Sequence, residues 1–124
     1  MTGNEYQELA MRTNIPNTKE YLQDKINSNM TVNISEVLNA SLGLSGEVGE
    51  LNDMIKKFIY HKTPMDEGHF KKEIGDICWH IAQMCHACGY ELDDILQMNI
   101  DKLKSRYPDG FSIERANNRK EGEV

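Results

Sequence analysis

The feature that most constrains this chain is a pair of acidic pairs, each set into an apolar helical stripe. The first lies in GLSGEVGEL, residues 43–51. At about 100° per residue, with Glu47 at the origin, Leu44, Leu51, Met54 and Phe58 fall within about 60° on either side. Glu47 therefore sits inside the apolar sector and Glu50 at its edge, neighbours on the helix surface. Glu73 and Asp76 repeat the spacing and border a stripe of Phe70, Ile74, Ile77, Ile81 and Cys88, with His69 and His80 on the same ridge. Between Glu50 and Glu73 stand 22 residues, enough to finish one helix, turn and return antiparallel. The four carboxylates can then converge. Like charges facing a core repel, and burying them unpaired is costly. A divalent cation relieves that repulsion, and carboxylate oxygens select a hard ion, Mg²⁺ or Mn²⁺, over zinc.

Gly43, Gly46 and Gly49 lie within the first of these helices, each costing about 1 kcal/mol relative to alanine, and Gly75 directly precedes Asp76. That cost implies close approach of a partner helix or a ligand to the helix backbone. The remaining pattern is helical throughout, without strand alternation or repeats. Residues 4–13 read as a short helix and 14–32 as a loop with at most one helical turn. Asn33 and Glu36 form a capping-box pattern opening a helix to about Tyr60. Pro64 reads as the first position of the next helix, with Asp66 near its terminus. That helix runs to about Cys88 and stops at Gly89. A last helix covers Leu92 to Arg106. Residues 1–110 thus form one all-α domain, an antiparallel helical bundle, and 111–124 a polar tail, flexible or covering the site.

A chain of 124 residues has no room for a second domain. Its 39% hydrophobic content is lean, which favours completing the core with a second copy. The net charge of -6 argues against a nucleic-acid polymer. No apolar run approaches the roughly 20 residues of a membrane span. MTGNEYQELA lacks the basic start and apolar stretch of a secretory signal, and three cysteines make no disulfide framework. The expected location is the cytoplasm. Cys85, His86 and Cys88 with His80 invite a zinc reading, but the run lies inside a helix with Cys78, Cys85 and Cys88 on its apolar side, so small buried thiols account for it better. No glycine loop ends in the phosphate-binding G-K-[ST] signature.

At the acidic pairs the sequence resembles the MazG-like nucleoside triphosphate pyrophosphohydrolases, an all-α family. Four stretches carry the resemblance, in order and at matching spacing: EYQELA (5–10) through Arg12 and Thr13, GLSGEVGEL (43–51) with Lys56 and Lys57, EIGDICW (73–79), and NIDKLKSRYPDGF (99–111). The resemblance implies Mg²⁺-dependent hydrolysis of a nucleoside or deoxynucleoside triphosphate to the monophosphate and pyrophosphate, for nucleotide pool control or housecleaning. It implies metal ligands at Glu47, Glu50, Glu73 and Asp76; one of these carboxylates would also orient or deprotonate the attacking water, and the sequence does not choose among them, Glu50 being one candidate. It implies homodimers or homotetramers whose sites borrow residues from a neighbouring chain. One departure stands at His80, where many relatives carry Tyr; His80 is kept as a substrate-side candidate.

A triphosphate needs further cations. Asn99, Lys102 and Arg106 are spaced three and four apart on one ridge of the last helix. Arg106 can grip phosphate in bidentate fashion, with Lys102 as a point charge. Lys57, nearly in phase with Glu47, and Arg119, which matches a family arginine, are further candidates. Trp79 and Phe111 are available to stack on a base, although core or interface roles suit them better. Two other readings compete. A di-metal oxidoreductase bundle uses E-x-x-H pairs, and neither acid pair ends in His. A non-catalytic helical dimerisation or regulatory module with a degenerate metal site would lack the full acid set.

Overall fold

The computed structural model describes residues 1–29 and 31–119. Its centre is a hairpin of two long helices, α3 (Ile34–Tyr60) and α4 (Glu67–Cys88). At 27 and 22 residues they extend about 40 and 33 Å. The facing pairs run in opposite directions along the chain. The Asn33 N–H donates to the Ala87 carbonyl at 2.9 Å, Gly43 meets His80, and Glu47 meets Glu73 and Asp76. These pairs make the hairpin antiparallel and fix its register.

Side-chain caps set the helix starts. Asn33 Oδ1 accepts the Glu36 N–H at 3.1 Å. The reciprocal half of the expected box is absent, because the Asn33 N–H is already taken by Ala87. Helix α4 begins at Glu67, not Pro64: Asp66 is the cap, its Oδ1 accepting the His69 N–H at 3.0 Å. Gly89 ends α4 at φ 72°, the left-handed conformation in which glycine carries no Cβ penalty.

Helix α1 (Gly3–Ala10) opens on a complete capping box between Thr2 and Glu5 and runs into a 3₁₀ turn at Met11–Thr13. The segment expected as a loop instead holds α2 (Thr18–Ser28). Glu20 lies in its first turn and Lys25 in its last, each matched to the dipole at its end. Helix α5 (Leu92–Arg106) falls where the pattern placed it. The expected tail contains α6 (Ile113–Asn117), held by Arg115: its guanidinium donates to the carbonyls of Arg106, at 2.8 Å, and Ser105, at 3.1 Å. Lys120–Val124 lie outside the described residues. Among the described residues no strand occurs, and no helix is long and apolar enough to cross a membrane.

Among the described residues, only α3 and α4 pack extensively against each other. Every residue from Asp93 to Ser105 of α5 is exposed. Among the described residues, Ala40, Cys85 and Ala87 are the buried apolar ones, and no large side chain is fully enclosed. The chain exposes 10309 Å², whereas a compact monomer of its mass, 14.2 kDa, would expose about 6,800 Å².

The tightest point of the hairpin is Gly43, where a β-carbon would overlap the His80 ring. Gly46, Gly49 and Gly75 face open space, so the close approach expected at all four glycines occurs within one chain only at Gly43. Gly43→Ala is therefore expected to cost about 1–2 kcal/mol in denaturant unfolding despite its better helix propensity. Adding His80→Ala should recover most of that loss, a coupling that a double-mutant cycle measures.

Candidate metal centre

Glu47 comes from the middle of α3, and Glu73 and Asp76 from one ridge near the start of α4. One carboxylate oxygen of each lies within 4.8 Å of the other two. Glu73 is buried, 7% exposed, Glu47 half-buried and Asp76 exposed. Glu47 Oε2 and Glu73 Oε2 are enclosed with no hydrogen-bond donor in reach. Two ionised carboxylates can only accept hydrogen bonds, so this contact requires a shared proton or a cation.

The electrostatics show the same strain. The contact with Glu73 is the main reason that the Glu47 carboxyl is pushed up to about 7, followed by desolvation and the charges of Glu50, Asp76 and Glu73. Glu73 is held below the ordinary carboxylate range by that same contact; burial opposes the shift, and bonds with His69 and Glu50 reinforce it. The two carboxyls are thus shifted in opposite directions by one contact, as expected where a pair shares a proton. Glu50 is exposed and lies outside the tight triad, but close enough to act on both other glutamates. The all-oxygen donor set with two orphaned buried oxygens fits Mg²⁺ or Mn²⁺.

The other candidates are more dispersed. His80 sits one turn beyond Asp76, its Nδ1 3.1 Å from Gln83 Oε1 and its ring edge-on to Trp79 at 5.0 Å. Lys57 is held by Asp53 at 2.7 Å. Asn99 and Lys102 are exposed on α5, while Arg106 is buried at its end. Helix α5 makes at most slight contact with the hairpin. Trp79 and Phe111 are exposed, which excludes a core role within one chain. Cys85 is buried and Cys88 half-buried, but Cys78 is exposed, so the small-buried-thiol account fails there.

Two contacts went unforeseen: Arg115 on the backbone ending α5, and His69 Nε2 on Glu73 Oε1 at 2.8 Å. The second had a signal in its four-residue spacing, which places both on one helix face.

A helical hairpin here brings acids from both arms to one point, a group whose oxygens could hold a metal ion. The chain matches the MazG nucleotide pyrophosphohydrolase domain over residues 35–111, a span holding all four acids, and it belongs to that family. It is similar to the Gene 37 protein of Mycobacterium phage L5, with 31% identity over 83 residues covering 64% of this chain and 73% of that protein. No solved structure matches it.

Proposed function

We propose that this protein is a Mg²⁺-dependent pyrophosphohydrolase that converts a nucleoside or deoxynucleoside triphosphate to the monophosphate and pyrophosphate. The observation that carries this reading is the meeting of Glu47, Glu73 and Asp76 around two buried, partnerless oxygens, in a chain of the MazG family. Those three residues, with Glu50 at the rim, would hold Mg²⁺, or Mn²⁺ in its place. When bound, the ion supplies charge neutralisation on the phosphate oxygens and lowers the pKa of coordinated water.

The chain's own residues do the rest. Glu50, solvent-facing beside the triad, receives the proton of the attacking water at its carboxylate. Substitution at the α-phosphorus breaks the bond to the bridging oxygen, and the departing pyrophosphate needs cations. Lys102 and Arg106 supply them, with Asn99 as a neutral hydrogen-bond donor to phosphate or sugar, delivered by a second copy of the chain as homodimer or homotetramer. Lys57 and His80 stand on the hairpin as further substrate contacts. The reading places the protein in the cytoplasm, where its unpaired thiols stay reduced, in nucleotide pool control or housecleaning. It involves neither a nucleic-acid polymer nor a membrane.

The test is a panel of ribo- and deoxyribonucleoside triphosphates incubated with Mg²⁺ or Mn²⁺. Stoichiometric pyrophosphate and monophosphate are expected from at least one substrate, abolished by EDTA. Metal and nucleotide binding without turnover would favour a regulatory module. Iron content with visible absorbance would favour an oxidoreductase.

A further inference from the structure

We infer that His69 is the positioning residue of this metal centre: it clamps Glu73 Oε1 and thereby commits Oε2 to the shared pocket. The inference rests on the metal reading above and adds a residue that the acidic pattern does not contain.

A glutamate side chain has three rotatable bonds, and an unrestrained carboxylate among three others turns away from them. Glu73 cannot do so. Its Oε1 lies 2.8 Å from His69 Nε2, and since an ionised carboxylate only accepts, Nε2 carries the hydrogen and donates it. Its Oε2 is enclosed without a donor. One oxygen is thus pinned and the other is buried with no hydrogen-bond partner.

The clamp is itself anchored. The His69 N–H is bonded to the capping Oδ1 of Asp66 at 3.0 Å, so the first turn of α4 is fixed where the imidazole leaves it. The His69 side chain is 56% exposed, whereas that of Glu73 is 9% exposed. An imidazole that far out in water contributes little to a core. The bond's effect falls instead on the buried carboxylate, the arrangement by which outer partners orient metal-binding groups.

The experiment measures Mn²⁺ affinity of the full-length protein by calorimetry and by electron paramagnetic resonance, without nucleotide. His69→Ala and His69→Asn, which is polar but too short to span a helical turn, should weaken Mn²⁺ binding by about 10–100-fold. His69→Gln, whose amide can donate across the same turn, should stay within about threefold of wild type, since it restores the orienting bond. In turnover, the Asn variant should lose rate at limiting Mg²⁺ and regain it at saturating Mg²⁺, while the nucleotide KM measured at saturating metal stays unchanged. Circular dichroism checks that the variants fold, and the Asn and Gln pair keeps the comparison valid if the Ala variant does not. Wild-type Mn²⁺ affinity in both Ala and Asn variants overturns the role of His69 while leaving the metal reading intact. No Mn²⁺ binding by the wild type overturns the metal reading itself.

Discussion

Glu47→Gln is expected to lower pyrophosphate release by on the order of 10³-fold or more while leaving the metal-free protein at pH 8 at least as stable as the wild type. The two effects have opposite signs because one group causes both. In the folded chain the Glu47 carboxyl is pushed up to about 7 from an ordinary value of 4.5. Between those values the folded state binds more protons than the unfolded state, so this group's stabilisation is fully present below 4.5 and is lost as pH rises through about 7. Glu73 is shifted in the opposite direction. Its contribution is lost only on acidification, below the window in which Glu47 titrates. Metal-free wild type should therefore melt at a lower temperature at pH 8 than at pH 5, as far as this site governs the difference. Glutamine imitates the protonated form at every pH, can donate to Glu73, and removes one of the clustered charges. Its melting temperature should vary less over the same range, and saturating Mg²⁺ at pH 8 should raise that of the wild type but not of the variant. Thermal melts in EDTA across pH 5–8, paired with a pyrophosphate assay, read out both effects. A variant that keeps turnover, or one less stable than the wild type at pH 8 without metal, contradicts this account of the site.

A trade of stability for function is what makes the site legible in the amino-acid sequence. Acids in phase with Leu51 and Ile77 are a local conflict, and a hairpin-length spacer is the simplest way to resolve two such conflicts together. The long helices are legible for a related reason: many in-phase apolar residues accumulate over 22 or 27 positions. Helix α2 is not, because Tyr21, Leu22 and Ile26 form a sparse stripe among polar residues. It also starts at Asn17, whose φ of 63° turns the chain without a side-chain cap. Helix α6 carries one short-range signal, Ser112 capping the Arg115 N–H at 3.3 Å, but its anchor is non-local: the Arg115 guanidinium reaches carbonyls nine and ten residues back, and no short-range pattern records such a bond. At Pro64 the proline signal and the aspartate signal compete, and Asp66 wins because its side chain satisfies a helix N–H whereas proline only tolerates the position. The basic residues mark a different boundary. Phase on α5 shows that Asn99, Lys102 and Arg106 share a ridge. It does not show which helix, or which chain, that ridge meets.

A chain built this way is expected to elute at twice its monomer mass or more, and two differently disabled variants should restore activity when mixed. The surface excess is roughly 3,500 Å² per chain over a compact monomer, about 7,000 Å² for a pair, above the roughly 2,000–5,000 Å² total that obligate interfaces bury. Helix α5 makes at most slight contact with the hairpin. Leu92, Ile95, Leu96 and Leu103 lie along one side of that helix, yet Leu96 is 55% exposed. Asn99 falls in the same sector and Lys102 at its margin, so whatever covers the apolar row also receives the polar groups. If the cover is the α3–α4 hairpin of a second copy, Asn99 and Lys102 of one chain meet the acids of the other there. Glu47→Gln disables the acids and leaves Lys102 intact. An Asn99→Ala, Lys102→Ala variant does the reverse. Each alone should be nearly inactive. Mixed in equal amounts and allowed to exchange subunits, half of the dimers pair one of each, and each mixed dimer holds one site with both halves intact. About a quarter of wild-type turnover is then expected for two-fold assembly. Leu96→Asp with Leu103→Asp should shift the protein to smaller species in sedimentation and remove turnover, although all four carboxylates remain. Mixed variants that stay inactive despite demonstrated subunit exchange would show that each site draws its cations from its own chain. A monomer that hydrolyses nucleotide at full rate would show that α5 has no part in catalysis by a neighbour.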